Sequence, residues 1–336
     1  RDQCGSRGLG DVYKRQRLTG DVYKRLLKKA QRGNYNMLRI WGGGIYEHDW
    51  FYDNCNRLGL LVWQDFMFAC AMYPEAPGTF VDSIKCEAEI QINRLKNEPC
   101  MAVWCGNNEN QWIHDKMNWD EPGAYLPGNL YYHDILPELV EKHDGSIPYW
   151  PGSPYGGNDH NSMMDGDRHN WWTWHGDFPR AFGEKPHVDQ GPDGVTYAHY
   201  AKDMGRFISE FGMHASPVPE TLKRCIPEDQ LWFHSPSMDF HNKDNPKNKG
   251  DNLMIPVTGL PDNLDDYIDF SMLTQAEWLK FAIEHFRRRK PHCSGTLIWQ
   301  FNDCWPCLSW SVVDYYGFGK AGYCLLYTSP SPRDPH

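Results

Sequence analysis

The chain predicts an α/β fold, a (β/α)8 barrel, on three observations. Short apolar runs alternate with longer amphipathic ones, seven of the short runs can be counted, and polar residues gather where those runs end. The alternation is the pattern of parallel βα units. In a barrel the functional groups sit at the C-terminal ends of the strands.

Met37-Leu38-Arg39-Ile40-Trp41 reads as the first strand, stopped by Gly42, Gly43 and Gly44. Leu60 to Trp63 is the second, ending at Gln64-Asp65, and Met101 to Cys105 the third, ending at Gly106-Asn107-Asn108-Glu109. Ile147 to Trp150, Trp171 to Trp174, Arg206 to Ser209 and Thr296 to Phe301 complete seven. Between them Val22, Leu26, Leu27 and Ala30 mark a helix, and Phe51, Cys55 and Leu58 mark another with Gly59 as its cap. Phe80, Ile84, Ala88, Ile92 and Leu95 form a stripe that ends before Pro99. Thr274 and Glu277 have the spacing of a capping box ahead of Trp278, Phe281 and Phe286. Residues of about 216–270, rich in Pro, Asn and Asp, read as a long excursion before the last strand.

The two ends differ from the rest. Gly10-Asp11-Val12-Tyr13-Lys14-Arg15 recurs letter for letter at Gly20 to Arg25, too short for a structural repeat. With the stretch from Cys324 to Asp334, it reads as non-native sequence. The expected organisation is a non-native leader over 1–16, a catalytic barrel lacking its first strand over 17–322, and a non-native tail over 323–336. Seven strands fall one short of closure, and the helix at Val22 should follow a strand.

Composition narrows the function. Asp+Glu 44 against Lys+Arg 34 gives a net charge of -10, which disfavours nucleic acid as partner. No run of about 18 apolar residues is present to cross a membrane as a helix. Fifteen Trp and eighteen Tyr supply flat rings that suit sugar faces and also fill cores. Eleven Cys follow no small-domain framework. The compartment stays open.

Polar residues at the strand ends are Arg39, Trp41, Asn108, Glu109, His169, Trp174, His175, Glu210 and Asn302. Two carboxylates facing each other across a barrel mouth are what double-displacement glycoside hydrolysis requires. One protonates the leaving oxygen while the other attacks the anomeric carbon, from about 5–5.5 Å away.

Several runs share a further likeness: Asn36 to Gly44, Val-Trp-Gln-Asp-Phe at 62–66, Gly-Asn-Asn-Glu-Asn at 106–110, Trp-His-Gly at 174–176, Ile-Ser-Glu-Phe-Gly at 208–212 and Ile298 to Pro306. In this order they resemble the catalytic barrel of glycoside hydrolase family 2 β-mannosidases, over about 17–322. The resemblance implies Glu109 as acid/base, Glu210 as nucleophile, and Asn108 as the residue on the sugar 2-hydroxyl. It implies Arg39 as the cation beside the nucleophile and Trp41 and Trp299 as aromatic walls. His169, Trp174, His175 and Asn302 fall in substrate-binding motifs, and Trp119 is a candidate for the aglycone side. The implied activity is that of a retaining exo-β-mannosidase on a β-mannoside oligosaccharide or glycoprotein-derived glycan. β-Galactosidase and β-glucuronidase, an inactive truncated fragment and a non-catalytic sugar-binding barrel remain alternatives. Family members carry β-sandwich domains before the barrel, and these are expected partners from the same full-length chain.

No metal or cofactor is expected. Gly42-Gly43-Gly44 lacks the Lys and spacing of a phosphate loop and reads as a tight turn. His169 and His175 lack a third ligand at metal-site spacing. Cys304-Trp305-Pro306-Cys307 has thioredoxin-like spacing but no βαβ helix opening after it. Changing Cys304 and Cys307 together to Ser should therefore leave hydrolysis intact. Activity lost on oxidation and restored by a reductant would show the opposite.

Overall fold

A computed structural model describes residues 18–76, 78–191 and 193–328. The leader expected at 1–16 lies outside these residues. Seven strands are described: β1 (Met37–Ile40), β2 (Leu61–Asp65), β3 (Met101–Cys105), β4 (Tyr149–Trp150), β5 (Arg168–Asn170), β6 (Phe207–Phe211) and β7 (Gly295–Ile298). They form two parallel sheets, one in the order β1-β2-β3-β4 and one in the order β5-β6-β7. Side chains join the sheets across the interior. Trp63 of β2 packs against Phe207 of β6 with ring centroids 5.7 Å apart, and Trp41 after β1 meets Trp299 after β7 at 5.1 Å.

Helices cover the sheets because their apolar stripes must be buried. Gly20–Arg32 buries Tyr23, Leu27 and Ala30, and Asp49–Leu58 buries Phe51, Tyr52 and Cys55. Gly59 ends the second at φ 66°, a left-handed conformation that glycine adopts without a Cβ penalty. Thr79–Leu95 carries the stripe read from the sequence as far as Leu95.

Two expectations are corrected. The fifth strand is Arg168–Asn170, and Trp172–His175 is a helical turn. Its residues are polar and buried: Arg168 Nε and Asn170 Nδ2 both donate to Asp203 Oδ2, at 2.7 and 2.6 Å. A strand satisfied by side-chain bonds leaves no hydrophobic run to read. The helix expected to start at Thr274 begins at Leu264 and runs to Arg288. Asn263 caps it by accepting from Asp266 N at 3.0 Å, while Thr274 is buried mid-helix. The chain from 323 to 328, set apart as tail by the sequence, lies in the helix Ala321–Thr328. Tyr323 is buried there and its hydroxyl donates to Lys29 O at 2.9 Å.

Lys320 ties the loops that follow β6 and β7. Fully buried, its ammonium donates to Ala215 O at 2.9 Å and Ser309 O at 3.2 Å. Burial lowers its pKa, opposed by Asp303. Charged hydrogen bonds contribute about 1.5–3 kcal/mol each, and a buried carbonyl left without a donor costs more than an exposed one. Lys320→Met should destabilise the chain by about 3 kcal/mol in chemical denaturation. A change below about 0.5 kcal/mol would show that these loops do not depend on it.

Candidate active site

The polar ends of β1, β2, β3, β5 and β6 converge on one guanidinium. Arg39 Nη1 donates to Glu210 Oε1 at 2.8 Å, Nη2 donates to Asn108 Oδ1 at 2.8 Å, and Nε and Nη2 grip Asp65 at 3.2 and 2.8 Å. Burial opposes the charge on Arg39, but Asp65 and Glu210 outweigh it and raise its pKa. Asp65 is itself wholly buried and also accepts from Trp63 Nε1 at 2.8 Å and Gly42 N at 2.9 Å. The approach of Gly42 requires glycine, since a Cβ there would lie 2.4 Å from Phe68 O. The triple glycine is thus a tight turn, as read from the sequence, with Gly44 N donating to Trp41 O at 2.8 Å.

Glu109 caps the helix Asn110–Met117 immediately after β3, with φ 64° and its N–H donating to Ser153 O at 2.7 Å. His169 stands between the two glutamates. Its Nδ1 is 2.8 Å from Glu109 Oε1 and 3.4 Å from Glu210 Oε2. Its Nε2 is 3.0 Å from Ser153 Oγ, which donates to Asp167 Oδ2 at 2.6 Å. Nε2 also lies 3.4 Å from Arg39 Nη1, a group that can only donate. Burial lowers the His169 pKa to about 4, so the imidazole is neutral near pH 7.

The carboxyl groups are held differently. Burial pushes Glu109 up to about 7, against the Cys70 thiol, Arg39 and Lys116. Burial also raises Glu210, but His169 and Arg39 oppose it, as does Trp171, whose Nε1 donates to Glu210 Oε2 at 3.2 Å. The donor atoms of Glu109, His169 and Glu210 all lie within 4.8 Å of one another, a spacing that also suits a metal ion. Arg39 supplies positive charge at the same point.

Of the other residues expected at the site, Trp41 and Trp299 pack edge to face beside it. Trp174 lies behind, fully buried against Trp310 at 5.5 Å, and Trp171 takes the place beside the nucleophile candidate. His175 is turned to the excursion, where Lys249 Nζ donates to its Nδ1 at 2.7 Å. Burial and Lys249 lower its pKa to about 3. Asn302 is exposed and donates to Asp303 O at 3.4 Å. A cleft beside His169 is lined by Trp112, Lys116, Trp171, Asp177 and Arg180, and Trp119 is not among its lining residues. Cys307 is buried, which pushes its thiol well up, and Cys304 is exposed.

Sequence reasoning missed Asp65, Cys70, Ser153, Trp171 and Lys249. Asp65 carried a usable signal, since it ends a strand as Glu109 and Glu210 nearly do. Lys249 opens the helix Lys249–Met254 in the excursion, and the others reach the site from loops.

No family model matches the chain. β-Mannosidase B of Aspergillus clavatus is 36% identical over 315 residues, covering 89% of this chain and 35% of that protein. The crystal structure of the β-D-mannosidase from Dictyoglomus thermophilum superposes with a TM-score of 0.84 at 42% identity, covering 93% of this chain and 36% of that one. The exo-chitosanase CsxA of Amycolatopsis orientalis, at 19% identity and a TM-score of 0.66, shares the fold. The relatives it matches are β-mannosidases, as the resemblance to glycoside hydrolase family 2 implied, and it spans about a third of their length.

A raised carboxyl pKa has a consequence for stability. Glu109 binds its proton more tightly folded than unfolded, from 4.5 to about 7. Its contribution is therefore present in full below pH 4.5 and is lost as pH rises through about 7. Glu109→Gln should flatten the fall in stability across that window, by roughly 3 kcal/mol at its upper end. Parallel pH–stability curves for the two proteins would contradict this.

Proposed function

We propose that this chain carries the catalytic centre of a retaining exo-β-mannosidase that releases terminal β-D-mannose residues through a covalent glycosyl-enzyme. The observation that carries the reading is the approach of the two carboxyl groups, which bring one oxygen each to within 4.8 Å. Retaining enzymes hold theirs about 5–5.5 Å apart, whereas inverting enzymes leave about 6.5–9.5 Å for a water. The two parallel sheets are read as arcs of one eight-stranded βα barrel, with one more strand needed to close it. The mannoside preference follows the relatives' names, and their activity belongs to proteins about three times as long. Domains beyond the matched stretch are expected to complete the pocket.

In the first step Glu210, held by Arg39 and Trp171, attacks the anomeric carbon while Glu109 gives its proton to the leaving oxygen. Forming the ester removes the negative charge from Glu210. Glu109, now ionised, takes a proton from water, which attacks the same carbon and releases mannose. Asn108, oriented by Arg39, is placed for the 2-hydroxyl. Trp41 and Trp299 give the sugar an apolar wall.

The roles are separable with an aryl β-mannoside bearing a good leaving group, in a form of the protein that hydrolyses it. Glu210→Ala should abolish turnover, and azide should rescue it to give the α-mannosyl azide. Glu109→Ala should keep a fast first step with slowed deglycosylation, seen as a burst, and azide should give the β-mannosyl azide. Reversed stereochemistry would exchange the two roles. Full activity in both variants would place the site elsewhere.

A further inference from the structure

Glu109 is gripped from a second side by a residue to which neither sequence nor relatives assign a role. Cys70 lies in the loop after β2. Its sulfur accepts from Asn108 Nδ2 at 3.3 Å and reaches Glu109 Oε2 at 3.5 Å. The backbone fixes this approach, since Cys70 N donates to Asn108 O at 2.9 Å and Ala69 pairs with Asn108 in a parallel bridge. Cys70 and Glu109 both adopt left-handed backbone, at φ 50° and 64°. Such conformations cost a residue with a side chain about 1–3 kcal/mol and persist where the surroundings enforce them. Two of them meet here, at one hydrogen bond.

We propose that Cys70 is a positioning residue for the acid/base: its sulfhydryl donates to Oε2 of Glu109 while His169 holds Oε1, so the carboxyl plane is fixed at both oxygens. The proposal rests on the reading of Glu109 as acid/base. It explains where the proton sits. With Oε2 receiving the thiol hydrogen, the carboxyl proton is confined to Oε1, the oxygen beside His169 Nδ1 and on the side of Glu210. That side is where the glycosidic oxygen must lie for attack from Glu210. Through Asn108 the same sulfur also steadies the residue placed for the sugar 2-hydroxyl. The charged and titratable groups around Glu109 are Cys70, Arg39, Lys116, Asp177, His169 and Glu210.

Two experiments test it. In the 336-residue chain, alkylation of Cys70 by iodoacetamide is followed by peptide mass spectrometry across pH. Removing the negative charge beside the sulfur with Glu109→Gln should speed alkylation at Cys70 about fivefold above pH 7 and leave Cys86 unchanged. An unchanged rate at Cys70 would overturn the contact. In a hydrolytically competent form, activity falls with rising pH as Glu109 loses its proton, near pH 7. Cys70→Ala removes a donor to the ionised carboxylate, so that limb should move to higher pH and kcat should fall about tenfold with little change in KM. Cys70→Ser, which keeps a donor, should restore the limb. A limb and kcat unmoved by Cys70→Ala would overturn the positioning role. A protein that hydrolyses no β-mannoside would defeat the functional reading, while the alkylation result would still decide whether Cys70 holds Glu109.

Discussion

A buried guanidinium requires an acceptor along every edge of its fork, and Arg39 obtains them from three strands. Asp65 takes one edge, Glu210 another, and Asn108 shares the nitrogen between. Taking such a charge out of water costs several kcal/mol, which its partners recover only with good geometry. The surroundings follow from that demand. Asp65, buried against that cation, also accepts from Trp63 Nε1 and the N–H of Gly42, and Gly42 must lack a Cβ to come close enough. The Asn36–Gly44 and Val62–Phe66 stretches are two halves of one device that presents a fixed cation to Glu210.

Two carboxyl groups of the same chemistry are then separated by their donors. Glu210 receives a guanidinium N–H and an indole N–H, both suited to a carboxylate. Glu109 faces a neutral imidazole and a weakly donating thiol. Asp65 and Glu210 already share the single cation of Arg39. A further buried anion would find no cation of its own in the centre, since Lys116 is paired with Asp177 and Lys249 faces His175 and Asp244. Burial therefore raises the pKa of Glu109.

What the sequence revealed depended on whether burial was achieved with apolar side chains. Met101–Cys105 is such a strand and was read to the residue. Arg168–Asn170 is equally buried but is stabilised through Asp203, 33 residues or more away, and no periodicity reports a partner at that distance. The displaced start of the Leu264–Arg288 helix has a similar origin. Thr274 and Glu277 have capping spacing, but the helix already had its cap in Asn263. At the site, Glu109, Glu210, Arg39 and Asn108 were legible through resemblance and strand-end position. Trp171 and Trp174 could not be told apart, because only the fold decides that the chain turns helical between them.

The long excursion belongs to the same logic. Residues of about 216–270 looked like a detour between two strands, yet Lys249 returns to the rim. Its ammonium lies 4.9 Å from the centre of the Trp174 ring and donates to His175 Nδ1 at 2.7 Å. Burial lowers its pKa to about 8, so it remains mostly charged at neutral pH and keeps His175 neutral. A cation there cannot be supplied by the strands, whose ends are committed to Arg39 and its acceptors. It has to be brought by a segment free of the sheet, long enough to leave after β6 and come back over the mouth. The excursion therefore seals the outer face of the tryptophan cluster and spends its cation on His175 and Asp244.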